Sequence, residues 1–452
     1  MSQPNEPKRN SLLKDMMTLT KGVVLAQIFA IGLGPILTRL YKPDEFGTLA
    51  LFASLVSFCS IIATGRYEMA LVLPKKDHAA VNLLAVLGII ALSVCTTIFF
   101  VAVIFSDSIA LLLGNTALKD SLILLPISVL IASLIQGFYF WHCREKSFDQ
   151  MAQSKAILTS CSETSKLILG YFGFNESGLI WGMITGQATA LLLLVRGAKE
   201  KLDQLQESVS ALEMRVQAKV YSGFPKYDLI SALSFVAYSN FVVFYANKML
   251  AAGAAGLYFM ADRLLRIPVM VFVTPFSEVF YQHLSKNTGF DTLPLELNKY
   301  FGQIYKFVLI PFFGCVFVSQ YLVEIIFGSD WSELYIYLFI FSLPVAARIL
   351  TAPYSHVLKT IGKQHISTLL HLSKLALLFC LILFSSHFSI STYQFLQLFA
   401  VFDASIIILF ATTIDYLIKN PLIYRRLFSS FSITLMHTVF IYFSVISPEQ
   451  LT

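Results

Sequence analysis

Six charged side chains lie where a mostly apolar chain has few others, and their types and spacing suit the handling of an anion. Arg263 and Arg266 sit three residues apart in the stretch Gly256-Leu-Tyr-Phe-Met-Ala-Asp262-Arg263-Leu-Leu-Arg266-Ile-Pro268. On a helix that spacing puts both on one face. Two guanidiniums on one face suit a phosphate or pyrophosphate, because arginine binds such oxyanions through paired N–H groups. Asp262 adjoins Arg263 in sequence but is expected to point elsewhere. Pro268 should kink the helix and open backbone groups. Arg66 and Glu68 lie two apart in Gly65-Arg66-Tyr67-Glu68, within an apolar run that reaches Pro74. There a carboxylate could orient the arginine or take up a proton. Glu278 follows Pro275. Arg263, Arg266 and Arg66 are thus candidate anion ligands, and Asp262, Glu68 and Glu278 candidate ion carriers. A plainer reading stands beside each. Arg263 and Arg266 could pair internally with Glu68 or Asp403 and only hold helices together, and Arg66 could snorkel to an interface. Lys166, Arg348 and Lys374 read as structural.

The rest of the chain says what must position these groups. Of 452 residues, 56% are hydrophobic and 13% charged, with a mean hydropathy of +0.71. A soluble chain is about 25% charged, so the composition excludes a soluble globular, disordered, fibrous or disulfide-stapled protein. It fits a polytopic membrane protein. A charge in the bilayer interior costs at least about 2.5–3.5 kcal/mol, so intramembrane ions face a cavity or a partner.

A crossing helix needs about 20 apolar residues. Such spans fall near 16–38, 47–65, 79–104, 121–141, 155–174, 178–195, 229–250, 257–281, 301–327, 332–353, 366–386, 392–418 and 427–446. The first run is too long for a signal-peptide core and reads as a retained span. With a cytoplasmic N-terminus, 24 of the 33 Lys and Arg fall in inside segments. Arg39, Lys42, Lys119 and Lys248 fall at outside ends. This bias fixes the expected orientation.

The longest inside loop, 196–228, carries Leu202, Leu205, Val209, Leu212 and Val216 at helical spacing. It predicts an amphipathic helix over 202–219, lying on the membrane or against the bundle. The loop divides the spans six and six. The expected organisation is an N-lobe at 1–196, a linker at 197–228, a C-lobe at 229–418 and an additional helix within 419–452. A weak repeat supports the division: Arg39 precedes Gly47 by eight residues, and Lys248 precedes Gly256 by eight. Six helices return the chain to its starting side, so the lobes form a parallel pseudo-repeat around a central cavity, as in a rocking transporter. The fold class is therefore all-α and polytopic, two six-helix lobes with a thirteenth helix.

The sequence holds no His-Glu-x-x-His, no Gly-rich phosphate loop ending in Gly-Lys-Ser/Thr and no Gly-x-Ser-x-Gly. No catalytic residue, metal ligand, cofactor, nucleotide or nucleic acid is expected. The six cysteines form no Cys-x-x-Cys pair. Gly178, Gly182 and Gly186, four apart, predict close helix packing rather than a site.

Several of these stretches resemble the polysaccharide transporter, or O-antigen flippase, family of the MATE-like multidrug/oligosaccharidyl-lipid/polysaccharide (MOP) exporter superfamily. They are Ile36 to Gly47, Arg66 to Lys75, Gly178 to Gln187, Phe224-Pro-Lys-Tyr227 and Gly256 to Pro268. The resemblance implies a MATE-like fold in the bacterial inner membrane. It implies movement of an undecaprenyl-pyrophosphate-linked oligosaccharide from the cytoplasmic to the periplasmic leaflet, for O-antigen, capsule or exopolysaccharide assembly. The implied partners are that lipid-linked glycan, the bilayer, a polysaccharide polymerase and a chain-length regulator. The stretch around Arg263 is similar to the helix of the related lipid II flippase in which an arginine lines the cavity. The family usually has twelve or fourteen spans, against thirteen counted here, which leaves the side of the C-terminus open. A MATE-type multidrug or cation antiporter is the alternative on the same fold. A membrane enzyme is the second, though no long polar outside loop is present to carry catalysis.

Overall fold

The computed structural model describes residues 7–250, 252–273, 302–352, 354, 365–388 and 390–417. Among them every regular element is helical. The helices are α1 (Pro7–Leu40), α2 (Pro43–Thr64), α3 (Tyr67–Ala70), α4 (Asp77–Leu113), α5 (Leu125–Arg144), α6 (Phe148–Tyr171) and α7 (Asn175–Leu205). They continue as α8 (Ala211–Val220), α9 (Leu229–Met249), α10 (Ala252–Leu265), α11 (Ile310–Phe327), α12 (Leu334–Thr351), α13 (His365–His387) and α14 (Thr392–Leu417).

Eleven of the first twelve expected spans fall on helices in their described residues; the span at 257–281 is helical as far as Val273 and lies beyond that, like the span at 427–446, outside the described residues. Eight described helices are long and apolar enough to cross a membrane, so the protein is a multi-pass membrane protein. The chain forms two compact units, Met1–Gly256 and Leu257–Thr452. By packing, α9 goes with the first six spans, since it lies against α2.

In the first unit α2 is the interior helix. Its start is set by Pro43 at the first turn and by Glu45, whose carboxylate accepts the Lys42 N–H at 2.6 Å. Opposite in character is α4, where Ile89, Leu92, Phe100, Val103 and Ile104 are exposed, an apolar face for lipid. The sixth helix is too polar for the eight-helix set because it carries Ser162, Glu163 and Lys166. It stays interior by packing between α1 and α7. Lys166 and Glu163 pair there at 3.0 Å, both buried. Gly178, Gly182 and Gly186 allow this approach. A Cβ at Gly182 would reach the Lys166 backbone, and one at Gly186 the Leu158 carbonyl.

The linker differs from the single expected helix. Helix α7 runs on to Leu205, the chain turns over 206–210, and α8 restarts with Ser210 accepting the Glu213 N–H. The break is held by Asn82. Its amide donates to the Ser208 carbonyl at 2.8 Å and accepts from the Ser210 N–H at 3.0 Å. Leu202, Leu205, Met214 and Ala218 dock on a buried cluster of Tyr67, Leu83, Leu87 and Trp141. The helical period was right and its continuity wrong, because a buried amide partner outside the segment stops it.

In the second unit α12 is the interior helix and packs on α14 through Leu343, Ala347, Ala404 and Ile407. The helix α10 ends at Leu265, and a π-helical turn occupies Val269–Val273 just after Pro268. This is the expected kink. Proline lacks an N–H and crowds the preceding turn, so the ladder loosens.

Candidate functional site

Arg66 and Glu68 lie in a charged cluster of the first unit, and Asp262 and Arg266 in one of the second. The first lies in the turn between α2 and α4. Gly65 closes α2 in the left-handed region at φ 56°, and Arg66 follows at φ 62°. Left-handed backbone costs a non-glycine residue roughly 1–2 kcal/mol. The side chain is held in return. Arg66 Nε donates to Asp228 at 2.6 Å, and Arg66 Nη1 to Glu68 Oε1 at 3.0 Å. Its side chain is 18% exposed and its guanidinium is bracketed by two carboxylates. Asp228 closes the π-helical turn Phe224–Asp228 that leads into α9. It was not among the candidates, because 162 residues separate it from Arg66.

Glu68 is fully buried, and its second oxygen, Oε2, has no hydrogen-bond partner. Burial pushes its carboxyl above the usual carboxylate range, although Arg66 pulls it the other way. A buried acid that touches an arginine can take up a proton and so loosen the arginine's second bond.

The second cluster is built by α10, α12, α13 and α14. Arg266 Nε pairs with Asp262 at 2.7 Å, one helical turn back. Four residues on, Arg266 shares its face. Asp403 on α14 accepts from Arg348 Nη2 at 2.8 Å and from Lys374 Nζ at 2.7 Å. Tyr258 lies within electrostatic reach of Asp262, Arg266, Arg348 and Asp403, and Asp262 within reach of Arg348. Tyr258 is also buried edge-on to Phe341, with ring centroids 4.7 Å apart.

Asp403 holds Arg348 and Lys374, and Glu68 holds Arg66. The second cluster brings Arg266, Arg348 and Lys374 together with Asp262 and Asp403, one more cation than carboxylates. Arg348 and Lys374 had read as structural. Their shared signal was being intramembrane cations on consecutive spans with Asp403 on the next. Glu278 lies outside the described residues.

A two-unit, all-helical membrane bundle with intramembrane arginines is the class that fold and site define. The model for the family described as "Polysaccharide biosynthesis protein" matches residues 36–336. The chain belongs to that family. A curated relative, the succinoglycan biosynthesis transport protein ExoT of Rhizobium meliloti (strain 1021), is 23% identical over 337 residues. That match covers 70% of this chain and 64% of the relative. Among solved structures, the lipid II flippase MurJ in an inward closed conformation aligns with a TM-score of 0.63 at 13% identity, over 95% of this chain and 100% of that one. An inward-facing MATE-family multidrug resistance transporter of the MOP superfamily aligns at 0.58 and 13%, over 89% and 94%. The bent form of the Vibrio cholerae MATE transporter VcmN aligns at 0.56 and 14%, over 93% and 98%. The fold is the MATE-like one expected from the sequence.

Proposed function

We propose that the protein is a flippase for polysaccharide precursors, not an enzyme. Its substrate is an oligosaccharide linked to undecaprenyl pyrophosphate, carried from the cytoplasmic to the periplasmic leaflet of the bacterial inner membrane. The N-terminus is cytoplasmic, in line with the lysine and arginine bias of the loops. The proposed mechanism is alternating access by two lobes, with the polyprenyl tail kept in lipid.

The observation that carries this reading is the cluster of Arg266, Arg348 and Lys374 with Asp262 and Asp403 in the second unit, where Arg266 and Arg348 keep 42% and 43% of their side chains exposed. A cavity for organic cations calls for the opposite sign. Arg263, Arg266 and Arg66 are the proposed pyrophosphate ligands. Asp262, Glu68 and Glu278 are the candidate ion carriers. The membrane potential is a second possible drive, worth about 2.3 kcal/mol per charge per 100 mV. A polymerase and a chain-length regulator are the proposed partners downstream.

The test is a lipid extraction from a strain lacking the protein, with mass spectrometry of polyprenyl-linked glycans. Accumulated repeat units with reduced surface polysaccharide support the flippase. Normal surface polymer with new drug sensitivity would replace it with the antiporter.

A further inference from the structure

Asp403 occupies a place that makes little sense for a purely anion-binding site. It is a fully buried carboxylate, 1% exposed, set between two cations from different helices. The two partners are unequal. Lys374 is nearly buried at 10% exposure, whereas Arg348 is 43% exposed although Leu343 to Ala347 before it and Ile349 after it are buried. Arg348 thus reaches from Asp403 into accessible space, with one Nη2–H used on Asp403. The cluster of Asp403, Arg348 and Lys374 keeps one net positive charge. In a second, neutral pair with Arg266, Asp262 lies within electrostatic reach of Arg348.

We infer that Asp403 is a resident counter-anion, which holds Arg348 and Lys374 poised when no substrate is bound and competes with the substrate's diphosphate for Arg348. The inference rests on the flippase reading above. Its physics is exchange rather than addition. A guanidinium already engaged by a carboxylate gives an incoming diphosphate only the difference between two charge-assisted interactions. The substrate is therefore held less tightly than bare arginines would hold it. Asp403 retakes Arg348 as the diphosphate leaves, which favours release. A transporter needs this, since uniformly tight binding slows turnover without raising it. Asp403 is a positioning residue in this scheme and does not touch the substrate.

A merely structural Asp403 makes the opposite prediction. Removing one partner of a buried ion pair destabilises the fold and loosens any site built on it. The experiment measures binding of farnesyl diphosphate, a short polyprenyl diphosphate, to the purified full-length protein, and its translocation in proteoliposomes. Asp403→Asn should bind the probe about tenfold more tightly, roughly 1.4 kcal/mol, with KM and kcat both falling. Asp403→Glu, which keeps the charge, should behave as the wild type. Lys374→Met withdraws one of the cations that engage Asp403, strengthens its hold on Arg348 and should weaken binding about tenfold. Unchanged or weaker binding by Asp403→Asn at wild-type melting temperature would overturn the inference. Unchanged binding by Lys374→Met would do so too, even if Asp403→Asn does not fold. A wild type that does not bind the diphosphate at all would remove the substrate reading, and this inference with it.

Discussion

Gly47 and Gly256 meet backbone to backbone. A Cβ on Gly256 would lie 2.9 Å from the Gly47 nitrogen and would overlap the Pro43 carbonyl. These are the two glycines of the weak internal repeat, each eight residues after a cation, and the fold packs them against each other. Gly256→Val should therefore force the first turns of α2 and α10 apart. Overpacking of this kind costs about 1–3 kcal/mol, read as a melting temperature several degrees lower in detergent. Gly34→Ala is the control, since nothing lies within 4 Å of a Cβ there. It should melt at or above the wild type.

Glu68 gives a signed pH effect. Its folded carboxyl titrates above the ordinary carboxylate value. The folded state thus binds more protons than the unfolded state between the two values, and stability falls as pH rises through that window. Glu68→Gln should flatten this slope and melt at or above the wild type at pH 8. A wild-type melting temperature that rises from pH 4.5 to 7, with a variant curve parallel to it, would contradict this.

Arg263→Ala should reach the membrane at wild-type abundance and fail to restore surface polysaccharide in the deletion strain. Immunoblotting and glycan staining of the same cells separate loss of transport from loss of protein. Full restoration would remove Arg263 from the site.

Lys166 and Glu163 should behave as a structural pair. Lys166→Met takes from the buried Glu163 carboxylate the ammonium 3.0 Å away, an effect of about 3–5 kcal/mol. Adding Glu163→Leu should recover most of the loss. A double-mutant cycle in thermal stability reads the coupling, and additive losses would mean that the pair is not the source.

The linker makes a prediction of another kind. Asn82→Ala removes both bonds to the 206–210 break, at Ser208 and Ser210. Trypsin should then cut faster at Lys201 or Arg215, which flank the break, with little change at Lys75 or Lys76. Equal cleavage in variant and wild type would show that the docked Leu202, Leu205 and Met214 hold the segment unaided.

The helices were legible because crossing a bilayer demands about 20 apolar residues in a row, and apolar runs show in composition alone. The exception is instructive: α6 carries Lys166 and Glu163, yet its apolar flanks kept it visible. Partners were harder to read. Arg266 with Asp262 could have been taken from the four-residue spacing, which the sequence displays. Arg66 with Asp228, and Asp403 with Arg348 and Lys374, join residues 162, 55 and 29 positions apart, and no local pattern encodes such distances. The linker break escaped for the same reason, since its cause is a side chain on α4.

That break also makes a single amide into a ruler. Asn82 bonds Ser208 on one side and Ser210 on the other, so it registers the length of the connection to within one residue. An insertion or deletion between Leu205 and Ser210 would move one of the two atoms out of reach. Natural length variation and engineered tags should both be excluded from this stretch, and tolerated first where no side chain keeps count.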